Sequence, residues 1–273
     1  MADEIIQIDI DQVLRTRAAR YYRFIPRFVV NWLKRLVCED DLNALLRKIG
    51  DKRDVEAADV VLSELDITLR PTGLENIPGQ GRFIFASNHP LGGLDGLALI
   101  SLFGHHYGGN IRFLVNDLLM AVAPLRGIFL PVNKFGRQSR QAATLIEQEY
   151  ASDRQMLTFP AGLCSRRQPD GRIADLRWHK FVITSAIQHR RDIIPVYFEG
   201  QNSASFYRAA QWRKRLGIKF NLEQILLPRE VMNNRGATFG IHVGRPISWQ
   251  KLDATHATQQ AATLRDIVYH LTP

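Results

Sequence analysis

A histidine and an aspartate on either side of a turn are the residues of this sequence best suited to chemistry. His89 follows a β-rich run that ends at Ser87, and Asp95 comes six residues after His89. A carboxylate that accepts the Nδ1 proton of an imidazole fixes its tautomer and makes Nε2 more basic. Nε2 can then take a proton from a hydroxyl as that hydroxyl attacks an acyl group. The pair therefore predicts general-base catalysis without an enzyme nucleophile.

The turn between the two residues decides whether their side chains can meet. On one continuous helix they would point in different directions, roughly 240° apart. Pro90, Gly92 and Gly93 instead favour a tight reversal that leaves Asp95 near the start of the next helix. The spacing alone leaves an alternative open, in which Asp95 only caps that helix and His89 is a satisfied turn residue.

The segments around this turn predict an α/β domain. Short apolar runs alternate with helical patterns between residues 65 and 246, which favours a mixed, largely parallel central sheet flanked by helices. The predicted strands are 66–69, 82–87, 111–115, 127–132, 155–159, 193–198 and 237–243, and the predicted helices include 94–103, 139–150, 178–189 and 258–271. Catalytic side chains of open α/β sheets gather at the carboxyl ends of strands, which is where His89 stands.

The first 64 residues predict a helical extension, followed by an α/β domain over residues 65–273. Between residues 15 and 35, aromatic and aliphatic residues are interspersed with seven basic ones and no acidic one: Arg15, Arg17, Arg20, Arg23, Arg27, Lys34 and Arg35. This composition suits a helix that docks on an anionic bilayer. The alternative is that the apolar side packs on the following domain. No window reaches the roughly 18 apolar residues that span a bilayer, so we expect peripheral contact.

The composition indicates a globular protein with a positive surface. The 273 residues include 36 Lys and Arg against 27 Asp and Glu, a formal net charge of +9, and 45% are hydrophobic. The charge favours anionic partners such as nucleic acid, acidic lipid or phosphorylated carriers. Cys38 and Cys164 stand far apart, which argues against a disulfide framework and a cysteine zinc site, and no metal is expected.

Four blocks resemble, in order, the motifs of the glycerolipid acyltransferases typified by lysophosphatidic acid acyltransferase. Residues 88–96, Asn-His-Pro-Leu-Gly-Gly-Leu-Asp-Gly, are similar to the Asn-His-x4-Asp motif, and are closer to the branch of lyso-ornithine and lyso-glycine lipid O-acyltransferases and hemolysin-like proteins. Residues 127–134 resemble the second motif, 159–166 the Phe-Pro-Glu-Gly-Thr-Arg-Ser motif, and 193–198 the fourth.

The resemblance implies a role for each matching residue. His89 is implied as the general base and Asp95 as the carboxylate that orients it. Contacts with substrate are implied for Asn88, Lys134, Gly162, Ser165 and Arg166. The family usually has Arg at the position of Lys134, and an ammonium cannot bind a phosphate in the two-point manner of a guanidinium.

Two departures from the family pattern bear on the acceptor. The spacing from His89 to Asp95 is one residue longer than in the phosphoglycerolipid enzymes, and Ala161 replaces the usual Glu of the third motif. Both favour a lyso-aminolipid, such as lyso-ornithine or lyso-glycine lipid, over lysophosphatidic acid. The resemblance further implies a peripheral enzyme on the cytoplasmic face of the inner membrane. Its co-substrate is an acyl carrier protein or coenzyme A thioester, without another cofactor.

Three other functions stay open at this point. A nucleic-acid protein would use the basic cluster of Arg208, Arg213, Lys214, Arg215 and Lys219 around Trp212, but no recognised nucleic-acid motif accompanies it, and nucleic acid is not the expected partner. A lipid surface or an acidic acyl carrier would fit that cluster equally well, as would plain solvation. A thioesterase could use the His–Asp pair on water, and a hemolysin-like membrane-active protein would need no catalysis.

Overall fold

The computed structural model describes residues 7–17, 19–132, 140–218 and 221–271, and a mixed β-sheet forms its centre. The sheet contains β1 (Thr68–Thr72), β2 (Phe83–Ser87), β3 (Ile111–Asn116), β4 (Phe129–Val132), β5 (Gln155–Thr158), β8 (Asp192–Phe198) and β9 (Thr238–Val243). Their order is β1-β9-β8-β2-β5-β3-β4. Neighbouring strands are parallel except β8 and β9, which are antiparallel. The predicted mixed, largely parallel sheet is confirmed.

Helices cover both faces of this sheet. In the described residues they are α1 (Ile10–Arg17), α2 (Ala19–Tyr22), α3 (Arg27–Leu36), α4 (Glu39–Ile49), α5 (Asp54–Glu64), α6 (Leu94–His106), α7 (Arg140–Ala151), α8 (Phe181–His189), α9 (Ala204–Arg215), α10 (Leu227–Asn233) and α11 (Ala257–Tyr269). Buried side chains of α4, α5 and α6 pack on one face, and those of α7, α8 and α11 pack on the other. A short hairpin of β6 (Arg166–Arg167) and β7 (Ile173–Ala174) lies outside the sheet.

Strand β2 explains why its sequence is a continuous apolar run. Phe83 and Phe85 belong to the core beneath α5 and α6, whereas Ile84 and Ala86 belong to the core on the opposite face. A strand that is covered on both sides cannot alternate apolar with polar residues. Because β2 lies between the parallel strands β5 and β8, its carboxyl end opens at the middle of the sheet edge.

The N-terminal helices fall into two parts. Helices α4 and α5 supply buried residues such as Leu45 and Ala58 to the same core as the sheet. Helix α3 buries Val30, but Phe28 and Trp32 are 74% and 58% exposed. The packing alternative therefore holds for Val30 and not for these two aromatic residues. The division at residue 64 stays a prediction. Within the described ranges, no helix is long and apolar enough to cross a bilayer.

Candidate active site

The loop after β2 begins with a fixed amide. The side-chain nitrogen of Asn88 donates to the carbonyl of Phe198 at 2.9 Å, and its oxygen accepts from the N–H of Phe198 at 2.7 Å. These two bonds tie the loop to the end of the neighbouring strand β8. Because both ends of this buried amide are bound to backbone, Asn88 positions the loop, and its contact with substrate stays a prediction.

The reversal after His89 brings its ring to Asp95. Nδ1 of His89 lies 2.8 Å from Oδ2 of Asp95, which stands fully buried in the first turn of α6. Gly92 takes φ +80°, and a Cβ there would lie 2.7 Å from the side chain of Leu227. Both facts require glycine at this point of the turn. The open alternative, in which Asp95 only caps the helix, is wrong in this structure.

Three backbone amides complete the surroundings of Asp95. Oδ2 also accepts from the N–H groups of Leu91 at 2.9 Å and Gly92 at 3.2 Å, and Oδ1 accepts from Gly96 at 2.9 Å. Burial by itself would raise the pKa of Asp95, but the interaction with His89 and the two amides of the turn hold that pKa below its ordinary value. An ionised carboxylate can only accept, so Nδ1 of His89 carries the proton that joins them.

The other ring nitrogen of His89 is left for a substrate. The imidazole stacks on Phe159, with ring centroids 3.9 Å apart and planes 17° apart, and Phe159 contacts Phe113 at 5.0 Å. In the part of the chain that the structure describes, the ring makes its hydrogen bond through Nδ1 alone. The arrangement can therefore accept a proton at Nε2, as a general base must.

The third motif block contacts the same histidine. The N–H of Ser165 donates to the carbonyl of His89 at 2.7 Å, and the hydroxyl of Ser165 donates to Asp175 at 2.7 Å. Gly162 has φ +68°, which favours glycine, and its N–H donates to Phe159 at 2.8 Å. The fold thus brings Ser165 beside His89, and Gly162 turns the chain after Phe159, whose ring stacks on His89. Their contacts with an acceptor stay predictions, and Lys134 lies outside the described residues.

Arg166 is engaged inside the protein. Its Nη2 donates to Glu223 at 2.8 Å, its Nη1 donates to the carbonyls of Cys164 and Ser165, and its guanidinium stacks on Phe206 at 5.1 Å. The fully buried carboxylate of Glu223 pairs with Arg166 and also with Arg213, so the two guanidiniums share one negative charge. The guanidinium is not directed to solvent here, so binding of an anionic headgroup by Arg166 stays a prediction.

The basic cluster on α9 is divided between two environments. Arg213 pairs with the same buried Glu223 at 2.8 Å. Trp212 and Leu216 are exposed one helical turn apart, next to exposed Lys214. Lys219 lies outside the described residues. The partner of this surface stays a prediction.

Sequence reasoning missed one residue of the site, Asp175. This buried carboxylate accepts from the backbone N–H of His89 at 3.1 Å, as well as from the hydroxyl of Ser165. It also accepts from the indole of Trp178 at 2.9 Å. An acidic residue between the apolar residues Ala174 and Leu176 was the available signal, but no motif pointed to it.

Comparison with known proteins gives this geometry a family. The sequence matches the profile of a family described as Acyltransferase over residues 12–272. It is 46% identical to a lyso-glycine lipid O-acyltransferase of Phocaeicola vulgatus over 270 residues, which are 98% of this chain and 96% of that protein. A lyso-glycine lipid O-acyltransferase of Bacteroides thetaiotaomicron is 44% identical over 98% of this chain and 99% of its own length.

A solved structure is also similar to this one. It is the 1-acyl-sn-glycerophosphate (LPA) acyltransferase PlsC from Thermotoga maritima, with 16% identity, a TM-score of 0.47, and coverage of 96% of this chain and 97% of that one. The family profile and the two nearly full-length relatives, rather than this likeness, decide the assignment. They confirm the resemblance found in the four motif blocks: the chain belongs to this acyltransferase family.

Proposed function

We propose that this acyltransferase moves a fatty acyl group from a thioester donor to the hydroxyl of a lyso-glycine lipid. The observation that carries the chemistry is the buried His89–Asp95 pair, 2.8 Å apart at the carboxyl edge of the sheet. The observation that carries the acceptor is the near full-length identity to two proteins that bear that acceptor in their names.

The reaction uses Nε2 of His89, the ring nitrogen that does not bind Asp95. Nε2 of His89 takes the proton of the acceptor hydroxyl while its oxygen forms a bond to the thioester carbonyl carbon. The ionised Asp95 stabilises the imidazolium that results. The tetrahedral intermediate then collapses, the C–S bond breaks, and the imidazolium returns its proton to the leaving thiolate. The acyl ester and a free thiol are the products.

Two features of the site support an acceptor other than lysophosphatidic acid. Ala161 stands where the family motif has a Glu that helps to hold the acceptor, so that contact is missing here. Arg166 is turned into the protein, where it pairs with Glu223, and is not directed to a headgroup. The amino-acid headgroup of a lyso-aminolipid carries less negative charge than a phosphate monoester and needs fewer cations to bind it.

We propose that the enzyme binds an anionic membrane, at the cytoplasmic face of the inner membrane, and the exposed side chains of the N-terminal helices support the membrane contact. Phe24, Phe28 and Trp32 follow one another at intervals of four residues and are 69%, 74% and 58% exposed. We name these three residues the aromatic surface. Arg23 stacks on Phe24 at 4.7 Å, and exposed Arg35 lies close by in sequence. Aromatic side chains beside arginines suit the headgroup region of a bilayer.

A panel of acceptors tests the proposed function. The enzyme is incubated with an acyl carrier protein or coenzyme A thioester and with lyso-glycine lipid, lyso-ornithine lipid or lysophosphatidic acid, and the products are identified by mass. We expect the largest kcat/KM with lyso-glycine lipid. A preference for lysophosphatidic acid would overturn the acceptor assignment, and release of free fatty acid without acylated lipid would indicate a thioesterase.

The replacement His89→Ala tests the chemistry in the same assay. Loss of the general base should lower kcat by about 10²–10⁴-fold. The matched control is His105→Ala, because His105 also pairs with an aspartate at 2.8 Å, Asp59, but on the exposed surface. It should keep wild-type turnover. Equal turnover of His89→Ala and wild type would remove His89 from the mechanism.

A further inference from the structure

The backbone of His89 is held on both sides by the third motif block and the segment after it. Its N–H donates to Oδ1 of Asp175 at 3.1 Å, and its carbonyl accepts from the N–H of Ser165 at 2.7 Å. The hydroxyl of Ser165 donates to the same Oδ1 at 2.7 Å. These three bonds close a ring between two segments that are 86 residues apart in sequence.

Helix α11 anchors Asp175 from the opposite side. The N–H of Asp175 donates to the hydroxyl of Tyr269 at 2.7 Å, and Nη2 of Arg265 donates to the carbonyl of Asp175 at 2.9 Å. Its Oδ2 accepts from the indole of Trp178 at 2.9 Å. The carboxylate therefore cannot move without breaking contacts to the loop, to Trp178 or to α11.

A carboxylate suits this place for a specific reason. The N–H of His89 and the indole of Trp178 can only donate, and they approach different oxygens of Asp175. The amide of an Asn at this position would have one oxygen that accepts and one NH2 group that donates. The NH2 group would then face either the N–H of His89 or the indole N–H of Trp178. Burial raises the pKa of Asp175, so the fold retains this acid at a cost in stability.

We propose that Asp175 is a positioning residue for catalysis, which fixes the backbone of His89 so that the imidazole stays on Asp95 with Nε2 toward the substrates. The inference rests on the proposed acyl transfer and adds a second acid to its site. Asp95 orients the ring and Asp175 orients the residue that carries the ring. The hydroxyl of Ser165 also helps to position His89, because it donates to Asp175 and fixes that carboxylate.

The split between kcat and KM distinguishes this role from contact with the acceptor. Asp175→Asn should lower kcat about tenfold or more, because a small displacement of the base costs rate, and should leave KM for lyso-lipid and thioester within about twofold. Ser165→Ala should lower kcat about threefold, also without a change in KM, because it removes one bond of the ring. Asp170→Asn is the control, since Asp170 is exposed on the same hairpin and pairs with Arg172.

A spectroscopic measurement on the substrate-free protein separates positioning from a general loss of folding. The Nδ1–H proton of His89 should give a sharp NMR signal in the wild type and in Asp170→Asn. In Asp175→Asn it should broaden through exchange with water, while the circular dichroism spectrum stays that of the folded protein. If Asp175→Asn does not fold, Ser165→Ala provides the same kinetic and NMR measurements.

Two results would overturn the inference. One is a folded Asp175→Asn whose kcat and Nδ1–H signal match the wild type. The other is a rise in KM for lyso-lipid at unchanged kcat, which would assign Asp175 and Ser165 to acceptor binding. Failure of the proposed function is a separate outcome, because the wild type would then acylate no lyso-lipid while the NMR signal would still report on the positioning of His89.

Discussion

The loop after β2 and helix α3 differ in what they leave exposed. In the loop, Asp95 is fully buried and accepts four hydrogen bonds, and the backbone of His89 is bound at both its N–H and its carbonyl. In α3, Val30 is buried, whereas Phe28 and Trp32 extend into solvent. One region satisfies its polar groups in the interior, and the other presents apolar groups outside.

The difference indicates where each region obtains its stability. A buried polar group without a partner costs free energy, so the loop keeps its shape only while its hydrogen bonds are complete. Largely exposed aromatic side chains contribute little to the stability of the fold and lose unfavourable contact with water when another surface covers them. The role of the loop can therefore be tested with single substitutions that remove one hydrogen bond, and the role of α3 by measuring its binding to lipid vesicles.

Asp95→Asn should have the largest effect on the loop. The amide of Asn has one oxygen that accepts and one NH2 group that donates, so its NH2 group faces either the N–H of Gly96 or Nδ1 of His89. In both orientations the negative charge that stabilises the imidazolium is lost, and in the second the imidazole also loses its tautomer and direction. We expect kcat to fall about 10³-fold or more, as for other triad-type carboxylates. Rates are measured at saturating lyso-lipid and thioester. A loss below tenfold would contradict the orienting role.

The ionisation of Asp95 also predicts how the stability of the fold depends on pH. The pKa of Asp95 in the folded protein lies below its ordinary value of 3.8, so the carboxylate stabilises the fold fully above that value. This stabilisation is lost as the pH falls through the lowered pKa. Below about pH 4, the free energy of unfolding in urea should therefore fall more steeply with pH for the wild type than for Asp95→Asn. Parallel pH profiles would show that Asp95 is not ionised in the way proposed.

Glu223→Gln should have the next largest effect, on stability rather than on rate. It leaves both Arg166 and Arg213 beside a neutral amide, in a site where the Arg166–Glu223 pair is almost completely buried. An uncompensated buried charge costs about 3–5 kcal/mol, so the free energy of unfolding in urea should fall by that amount. The control is Glu64→Gln, because Glu64 pairs with Lys48 on the exposed surface at 3.6 Å. That change should cost less than about 1 kcal/mol, and equal losses would contradict the comparison.

The sequence predicted the sheet better than the helices around the site. All seven predicted strand ranges overlap observed strands, because each is a short apolar run between turns. Helices α9 and α10 and the hairpin of β6 and β7 were not predicted. In α9 the buried residues Phe206, Tyr207 and Ala210 stand among basic ones, so its pattern is typical of a solvated segment. Its buried face forms by packing on Cys164 of the third motif block and on Leu226 and Leu227.

The residues of the site also divide into those that could be predicted from sequence, through local contacts, and those that could not, through distant contacts. His89 and Asp95 could be predicted because a single turn joins them. Asp175 reaches His89 across 86 residues, and Glu223 reaches Arg166 across 57. A single sequence contains no periodicity that links such distant positions, so the positioning of His89 and the pairing of Arg166 with Glu223 could be found only from the fold.

The aromatic surface should show the smallest effect, and it tests the other side of the comparison. Replacing Phe24, Phe28 and Trp32 together by Ser removes side chains that are already exposed, so the free energy of unfolding should change by less than about 0.5 kcal/mol per substitution. Binding to vesicles of anionic lipid should fall about tenfold or more, because partial burial of three aromatic side chains is worth at least about 1.4 kcal/mol. Cosedimentation with the vesicles measures the bound fraction.

Leu74→Ser and Leu145→Ser are the controls, since both leucines are exposed on other elements, at 41% and 39%. If the controls reduce binding as much as the triple variant, or if the triple variant binds like the wild type, the aromatic surface does not dock on lipid. If the triple variant alone loses binding and still acylates a detergent-dispersed lyso-lipid at the wild-type kcat, the exposed face serves the membrane and the loop after β2 serves the reaction.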